Sequence, residues 1–200
     1  MRFKKFKFKK VISTNNTAIR IIKSSNFKFG MVVTDSQSNG KGQYGKKWIS
    51  NKGNLFVSFF HKLNDINISL SRLTKINCLL VKKTLEKYYK KKIVFKKPND
   101  LLINNKKISG ILQETISVSG NKFLIVGIGV NLVSNPRIIN YPTTNLSELI
   151  NKPINKINFE NELKEIFVKN LSRMYKINNK KKKFKCIYLA ILEIQILNFA

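Results

Sequence analysis

Along this chain the hydrophobic positions change period from element to element. Phe6 and Phe8 alternate with lysines up to Val11, the two-residue period of a half-exposed strand. Ser13-Thr14-Asn15 then predicts the cap of a helix reaching Ile22. Phe29 to Thr34 and Leu55 to Phe60 are short β-branched or aromatic runs that predict strands, and Gly40, Gly42 and Gly45 deny regular structure to the segment between them. Leu70, Leu73, Ile76, Leu80, Val81, Leu85 and Tyr88 recur at spacings of three and four, the apolar face of a helix. Ile93 to Lys96 is a strand stopped by Pro98. Leu101 to Ile103 and Ile108 to Ile116 flank Asn104-Asn105, which predicts a hairpin. Phe123 to Leu132 is an apolar strand notched by Gly127 and Gly129, and glycine in a strand marks close approach by a ligand or another backbone. After a loop from Pro136 to Pro142, a short helix over Asn145–Ile150 is expected. A second amphipathic helix follows, carrying Phe159, Leu163, Ile166, Phe167, Leu171 and Met174, with Asn158 as its cap. Strands and helices interleave without strict βαβ repetition, so the expected class is α+β, a mixed sheet with helices packed on one face.

Composition adds less than its numbers suggest. The 200 residues suit one domain, and the 42% hydrophobic content is enough for a core. A net charge of +29 points toward an anionic partner such as nucleic acid or a polyphosphate. Yet the abundant residues Lys, Asn, Ile and Phe share A/T-rich codons, and the lysines are spread along the whole chain. Composition bias alone therefore gives the same profile. Cys78 and Cys186 lie far apart and form neither a metal-ligand pair nor a disulfide framework, which fits a reducing cytoplasm. No apolar run suits a signal peptide or approaches the roughly 20 residues of a membrane span. Lys180–Lys183 is a charge run, and Cys186–Ala200 is an apolar tail of no obvious element.

Three segments hold residue types that a core does not need. In Gln37-Ser38-Asn39-Gly40-Lys41-Gly42-Gln43-Tyr44-Gly45-Lys46-Lys47-Trp48, glycines let backbone N–H groups converge on an anion, lysines add charge, and Trp48 offers a flat face. The spacing is not that of a P-loop, and a flexible hairpin connection explains it equally well. In Lys96-Lys97-Pro98-Asn99-Asp100, Asp100 is a hard oxygen ligand suited to Mg²⁺ beside phosphates. An ordinary Pro-Asn-Asp turn is the plain alternative. Gly127-Ile128-Gly129-Val130-Asn131 is a glycine-notched strand ending on a polar side chain.

Taken together and in order, these segments resemble the catalytic domain of biotin–protein ligases. That family shows Ser-Thr-Asn after a first strand, then Gln and a GRGRxGRxW loop, KWPND, K-x-x-G-I-L-x-E and G-x-G-x-N. Here stand Ser13-Thr14-Asn15, Gln37, GKGQYGKKW, KKPND, KISGILQE and GIGVN. The resemblance covers residues 5–175 and implies a fold like that of class II aminoacyl-tRNA synthetases, with domain limits of 1–178 and a tail over 179–200. It implies biotin contacts from Ser13, Thr14, Asn15, Gln37, Gly40, Lys41, Gly42, Gln43, Lys107, Gly110 and Gly129. Among these, Lys107 would be the catalytic cation at the biotin carboxylate and the α-phosphate, while Gly110 and Gly129 leave room for the ligand. ATP would meet Lys41, Lys46, Trp48, Asn99, Asp100 and Asn131, with Mg²⁺ near Asp100. Biotin and ATP are then substrates and a biotin carboxyl carrier protein is the partner; relatives can form a homodimer through the central sheet, which leaves the oligomeric state of this chain open.

The departures are specific. Gln43 stands where the family has an arginine that helps retain the adenylate, Lys97 replaces the Trp of KWPND, and Lys41 and Lys46 replace arginines, keeping charge but losing a bidentate fork. The chain shows neither the N-terminal helix-turn-helix of repressor-type relatives nor a complete C-terminal SH3-like barrel, so no operator-DNA binding is expected. A lipoate or octanoate transferase shares the broad fold, but its Arg- and Gly-rich motif is not found here, and two other readings stand beside the ligase. One is a truncated paralogue that binds or adenylates biotin without transferring it. The other is a basic nucleic-acid-binding protein. His61, the lone histidine, lies outside every motif and is read as structural.

Overall fold

A computed structural model of the chain describes residues 3–63, 68–139 and 141–180, with side chains as far as residue 175. In chain order the elements are β1 (Lys4–Val11), α1 (Thr14–Ser24), β2 (Phe29–Gln37), β3 (Gly40–Lys41), β4 (Lys47–Trp48), β5 (Leu55–Lys62), α2 (Leu70–Leu85), β6 (Val94–Lys96), β7 (Asp100–Ile103), β8 (Lys106–Val118), β9 (Asn121–Val130), α3 (Leu146–Ile150) and α4 (Lys156–Lys180). Among the described residues, seven strands make one sheet in the order β1-β2-β5-β9-β8-β7-β6, and β3 with β4 forms a separate ribbon. Only β1 and β2 run parallel; α1 makes the crossover between them, and every other pairing is antiparallel. The mixed α+β class is as read from the sequence. Residues 181–200, which hold most of the expected tail, lie outside the described residues.

Strand period decides the layers. In β2, β5 and β9, Met31, Val33, Val57, Phe59, Leu124 and Val126 enter the larger core, which α2 and α4 cover. The intervening Val32, Phe60 and Ile125 point the other way and pack against Ala18 and Ile22 of α1. Both faces of these strands are therefore buried over part of their length, which is why they read as unbroken apolar runs. The expectation of helices on one face holds for α2 and α4, while α1 takes the opposite face. Phe59 and Phe167 stack at 4.2 Å and 4°, fixing α4 on β5, a pair worth about 1 kcal/mol beyond its buried area.

Local signals explain most boundaries. Asn104 and Asn105 both adopt positive φ (50° and 60°) in the β7–β8 turn, as a two-residue type I′ hairpin requires. The cap of α3 is Asn145, whose Oδ1 accepts from the Glu148 N–H at 2.9 Å. For α4 the cap is Asn155, which accepts from the Asn158 N–H at 3.1 Å, so the helix begins a turn earlier than the apolar spacing suggested. Ser13 has the extended backbone of an N-cap, but its side chain makes no capping bond.

The layering leaves one face partly open. Helix α1 has 11 residues, about 16 Å of length, and covers only part of its side of the sheet. Beyond it the register aligns Asp100 with Gly110, Gly110 with Gly129, and Gly127 with both Leu112 and Ser58. This row is floored by backbone because three of its members have no side chain.

Candidate active site

The uncovered part of the α1 face is a cleft of about 700 Å³, walled by the start of α1, the β3–β4 ribbon and Pro136, Ile138, Ile139, Tyr141 and Thr143. Every residue singled out from the sequence lines it except Gly40. Gly40 lies behind the wall. A Cβ there would stand 2.5 Å from the Trp48 carbonyl oxygen and 2.9 Å from Gln37 Nε2, so glycine lets the ribbon close on Gln37.

At one end, Gln37 and α1 hold each other. Gln37 Oε1 accepts from the Thr14 N–H at 2.8 Å and from the Thr14 hydroxyl at 3.2 Å, while Nε2 donates to Ser50 Oγ at 3.1 Å. The helix amide that Ser13 leaves uncapped thus finds an acceptor on β2. Buried Asn15 is more heavily committed. Its Nδ2 donates to Glu114 Oε2 at 2.6 Å and to the Leu112 carbonyl, and its Oδ1 accepts from Ser58 Oγ at 2.5 Å. That amide presses on Gly127, where any Cβ would collide with Asn15 Oδ1. With these bonds made, Asn15 is an anchor of α1 to β5 and β8; the ligand contact expected of it finds little free polar capacity.

At the other end stands Lys107. Its N–H donates to the Pro142 carbonyl at 2.8 Å and its carbonyl accepts from the Thr144 N–H at 3.0 Å, so residues 142–144 run beside the start of β8. The Lys107 ammonium pairs with Asp100 Oδ1 at 2.8 Å, and the Tyr141 hydroxyl donates to Asp100 Oδ2. Both Asp100 oxygens are thereby engaged, and among the described residues no group of three His, Cys, Asp or Glu side chains gathers as a metal site. One or two carboxylates suffice for Mg²⁺ where substrate phosphates supply the other ligands, so Asp100 keeps the chemistry such an ion needs once Lys107 leaves it. Asn99 is also occupied: its Nδ2 donates to the Ile111 carbonyl at 2.6 Å, which pins the turn that delivers Asp100. Lys41 and Lys46 stay exposed at the ribbon, and Gln43 is half-buried beside them.

The glycine row is filled rather than vacant. The Trp48 indole lies over it, and a Cβ on Gly110 or Gly129 would meet the ring. Gly110 and Gly129 were expected to leave room for a ligand, and here that room admits Trp48. The indole is the largest apolar group on the ribbon, and strand backbone is its nearest dry surface. Three buried polar atoms in the cleft lack hydrogen-bond partners, Trp48 Nε1, Asn131 Oδ1 and Asp100 Oδ1, the last held only by its ion pair with Lys107, although Asn131 Nδ2 donates to the Thr144 carbonyl at 3.1 Å. Unmet buried polar atoms are costly, and here a donor and an acceptor lie in the same cleft.

The model for the biotin/lipoate A/B protein ligase family matches residues 8–131. The chain belongs to that family. BirA of Escherichia coli K12, a bifunctional ligase/repressor, is 30% identical over 102 residues, 50% of this chain and 32% of BirA. The biotin–[acetyl-CoA-carboxylase] ligase of Paracoccus denitrificans is 30% identical over 108 residues, 52% of this chain and 45% of that enzyme. The matched segment thus spans under half the length of these curated relatives. A biotin protein ligase from Aquifex aeolicus, solved with biotin and ATP, superposes with a TM-score of 0.69 at 30% identity over 91% of this chain and 72% of its own. The fold is accordingly that of a biotin–protein ligase catalytic domain.

The sequence reading missed Asn54 and Tyr141. Buried Asn54 accepts through Oδ1 from the N–H groups of Leu132, Val133 and Ser134 and donates to the Ser134 carbonyl at 2.7 Å, so it shapes the chain leaving β9. No periodic signal marks it. His61 does not line the cleft: it is buried on β5, where Nδ1 lies 3.0 Å from the Lys62 carbonyl, and burial lowers its pKa to about 4. Cys78 is buried too, its thiol raised to about 12 by burial and by Asp100, and is no nucleophile at neutral pH. Among the described residues no helix is long and apolar enough to cross a membrane.

Proposed function

We propose that this chain is a ligase that activates biotin with ATP to biotinyl-5′-AMP and passes the biotinyl group to a lysine of a biotin carboxyl carrier protein. The observation that carries the reading is Lys107: one ammonium, 18% exposed, lining the same cleft as Thr14, Gln37, Trp48 and Asn131. Biotin's carboxylate is already a nucleophile at neutral pH, so activation needs no general base. It needs two anions brought together, and a fixed cation lowers that repulsion most where charge gathers in the transition state.

In the first step a biotin carboxylate oxygen attacks the α-phosphorus of ATP, the bond to the bridging oxygen breaks, and pyrophosphate leaves. Lys107 exchanges Asp100 for the carboxylate and α-phosphate oxygens. Exposed Lys41 and Lys46 meet the outgoing phosphates. The orphan acceptor Asn131 Oδ1 suits the exocyclic amine of adenine, and Trp48 leaves the glycine row to stack on the base. Thr14, Gln37 and Ser13 offer donors and acceptors to the ureido head. Magnesium travels with the triphosphate as part of the substrate, and no step is assigned to an ion on Asp100. In the second step the neutral amine of the carrier lysine attacks the acyl carbon, loses its proton, and AMP leaves.

The two steps are measured apart. With biotin, ATP, Mg²⁺ and an apo carrier domain, pyrophosphate release reports activation and label on the carrier reports transfer. Lys107→Ala is expected to suppress pyrophosphate release by two orders of magnitude or more, on the order of an electrostatic contact of this kind. Biotin-independent or absent release overturns the activation reading. Release without carrier labelling leaves activation standing and removes transfer.

A further inference from the structure

Tyr141 belongs to no motif, yet the fold brings it against the central cation of the cleft. The bonds from Lys107 to Pro142 and Thr144 seat residue 141 beside the start of β8. From there the hydroxyl donates to Asp100 Oδ2, while the other Asp100 oxygen holds Lys107 at 2.8 Å. The face of the ring lies 5.3 Å from the Lys107 ammonium and 4.9 Å from that of Lys96. Phenol, carboxylate and ammonium thus form a chain of three. Burial and the Asp100 carboxylate push the Tyr141 phenol above its ordinary range, so it remains a donor throughout the working pH.

We infer that Tyr141 is a positioning residue for Lys107, acting through Asp100, an assignment that rests on the ligase reading above. Asp100 aims Lys107 into the cleft but also competes with the substrate for it. A hydrogen bond donated from the far side draws charge density off the carboxylate and fixes its orientation. Lys107 is then aimed without being retained, and its exchange from Asp100 to the reacting anions costs less. The effect belongs to the step in which charge gathers, so it reads in kcat rather than in substrate binding.

Tyr141→Phe keeps the ring against both lysines and removes only the hydroxyl. The kcat for biotin-dependent pyrophosphate release is expected to fall about tenfold, the size of one lost hydrogen bond to a charged group, with the KM values for biotin and ATP changed by less than about threefold. Asp100→Asn is expected to be at least as slow, and the double variant no slower than Asp100→Asn alone, because the hydroxyl acts only through the carboxylate. An unchanged kcat in Tyr141→Phe, or defects that multiply in the double variant, overturns the assignment. A ¹³C-tyrosine NMR titration, with the Tyr141 resonance identified by its loss in Tyr141→Phe, needs no substrate. The phenol is expected to ionise above the ordinary tyrosine range and to move down in Asp100→Asn; no movement also overturns the assignment. If the wild-type chain releases no pyrophosphate while the titration behaves as expected, the ligase reading fails and the Tyr141–Asp100 coupling stands.

Discussion

Replacing Asn15 by aspartate alters one atom in the most densely bonded corner of the cleft. Oδ1, which accepts from Ser58, is kept, and a carboxylate oxygen takes the place of the amide that donates to Glu114 at 2.6 Å. Two unit charges at the 2.6 Å separation repel by about 6 kcal/mol at an effective dielectric of about 20. Solvent reaching half-buried Glu114 brings this nearer to about 4 kcal/mol. Holding one proton on the pair at pH 7, against an ordinary carboxyl pKa near 4, costs about 4 kcal/mol as well. The proton also restores a hydrogen bond worth about 1 kcal/mol, so proton uptake wins. The folded variant then binds a proton that its unfolded chain has released. Stability must fall as pH rises, by about 1.4 kcal/mol per unit above roughly pH 4. Urea unfolding followed by circular dichroism is expected to place Asn15→Asp within about 1 kcal/mol of wild type at pH 4.5 and about 4 kcal/mol below it at pH 7.5. Asn15→Ala, which adds no charge, should show a deficit independent of pH. Equal deficits of Asn15→Asp at both pH values would refute the contact with Glu114 as the source of the effect.

Other consequences can be checked as directly. Gly129→Ala puts a methyl group into the Trp48 indole, and because Trp48 is the single tryptophan its emission should shift to the red; an unchanged spectrum would mean that the ring does not rest on that strand. Asn54→Ala leaves the N–H groups of Leu132, Val133 and Ser134 without their acceptor and is expected to cost about 2–4 kcal/mol in urea unfolding; a loss under about 0.5 kcal/mol would show that water replaces it. His61 stays neutral when folded, its pKa lowered to about 4 by burial, and titrates near 6.5 when unfolded. The unfolded chain takes up that proton first, so the contribution is complete above about pH 6.5 and declines by about 3 kcal/mol on acidification to about pH 4. His61→Gln should flatten that stretch of the stability profile, and an identical slope would rule His61 out as its cause.

Much of the cleft was legible because backbone conformation and close approach leave marks on residue type. Gly127 and Gly129 announced a strand face without side chains, and Asn104-Asn105 announced a turn that needs positive φ. The ordered motifs announced the family. Partner choice among polar groups was not legible in the same way. Asn15, Asn99 and Asp100 have the chemistry of ligand-binding groups, and each is largely occupied by a neighbour remote in the chain or across a turn. Nothing in a linear pattern separates an amide that faces a ligand from one that ties a helix to a strand. Tyr141 was passed over for the same reason, since it meets Asp100 across 41 positions of sequence.

Although it read as irregular the segment that forms the β3–β4 ribbon, the sequence by itself determined most of the elements, the α+β class and the set of residues that converge on one cleft. Those follow from local periodicity, turn chemistry and motif order, which act over a few residues at a time. Only the tertiary structure decided which side of the sheet each helix takes. A strand buried on both faces has no polar phase to reveal its layers, and that is why α1 could be assigned to the face of α2 and α4. Its true place, covering part of the opposite face, leaves the glycine row open and so creates the cleft. The pairing of Lys107 with Asp100 and Tyr141 was likewise decided there, because it depends on how three separate segments are held against one another.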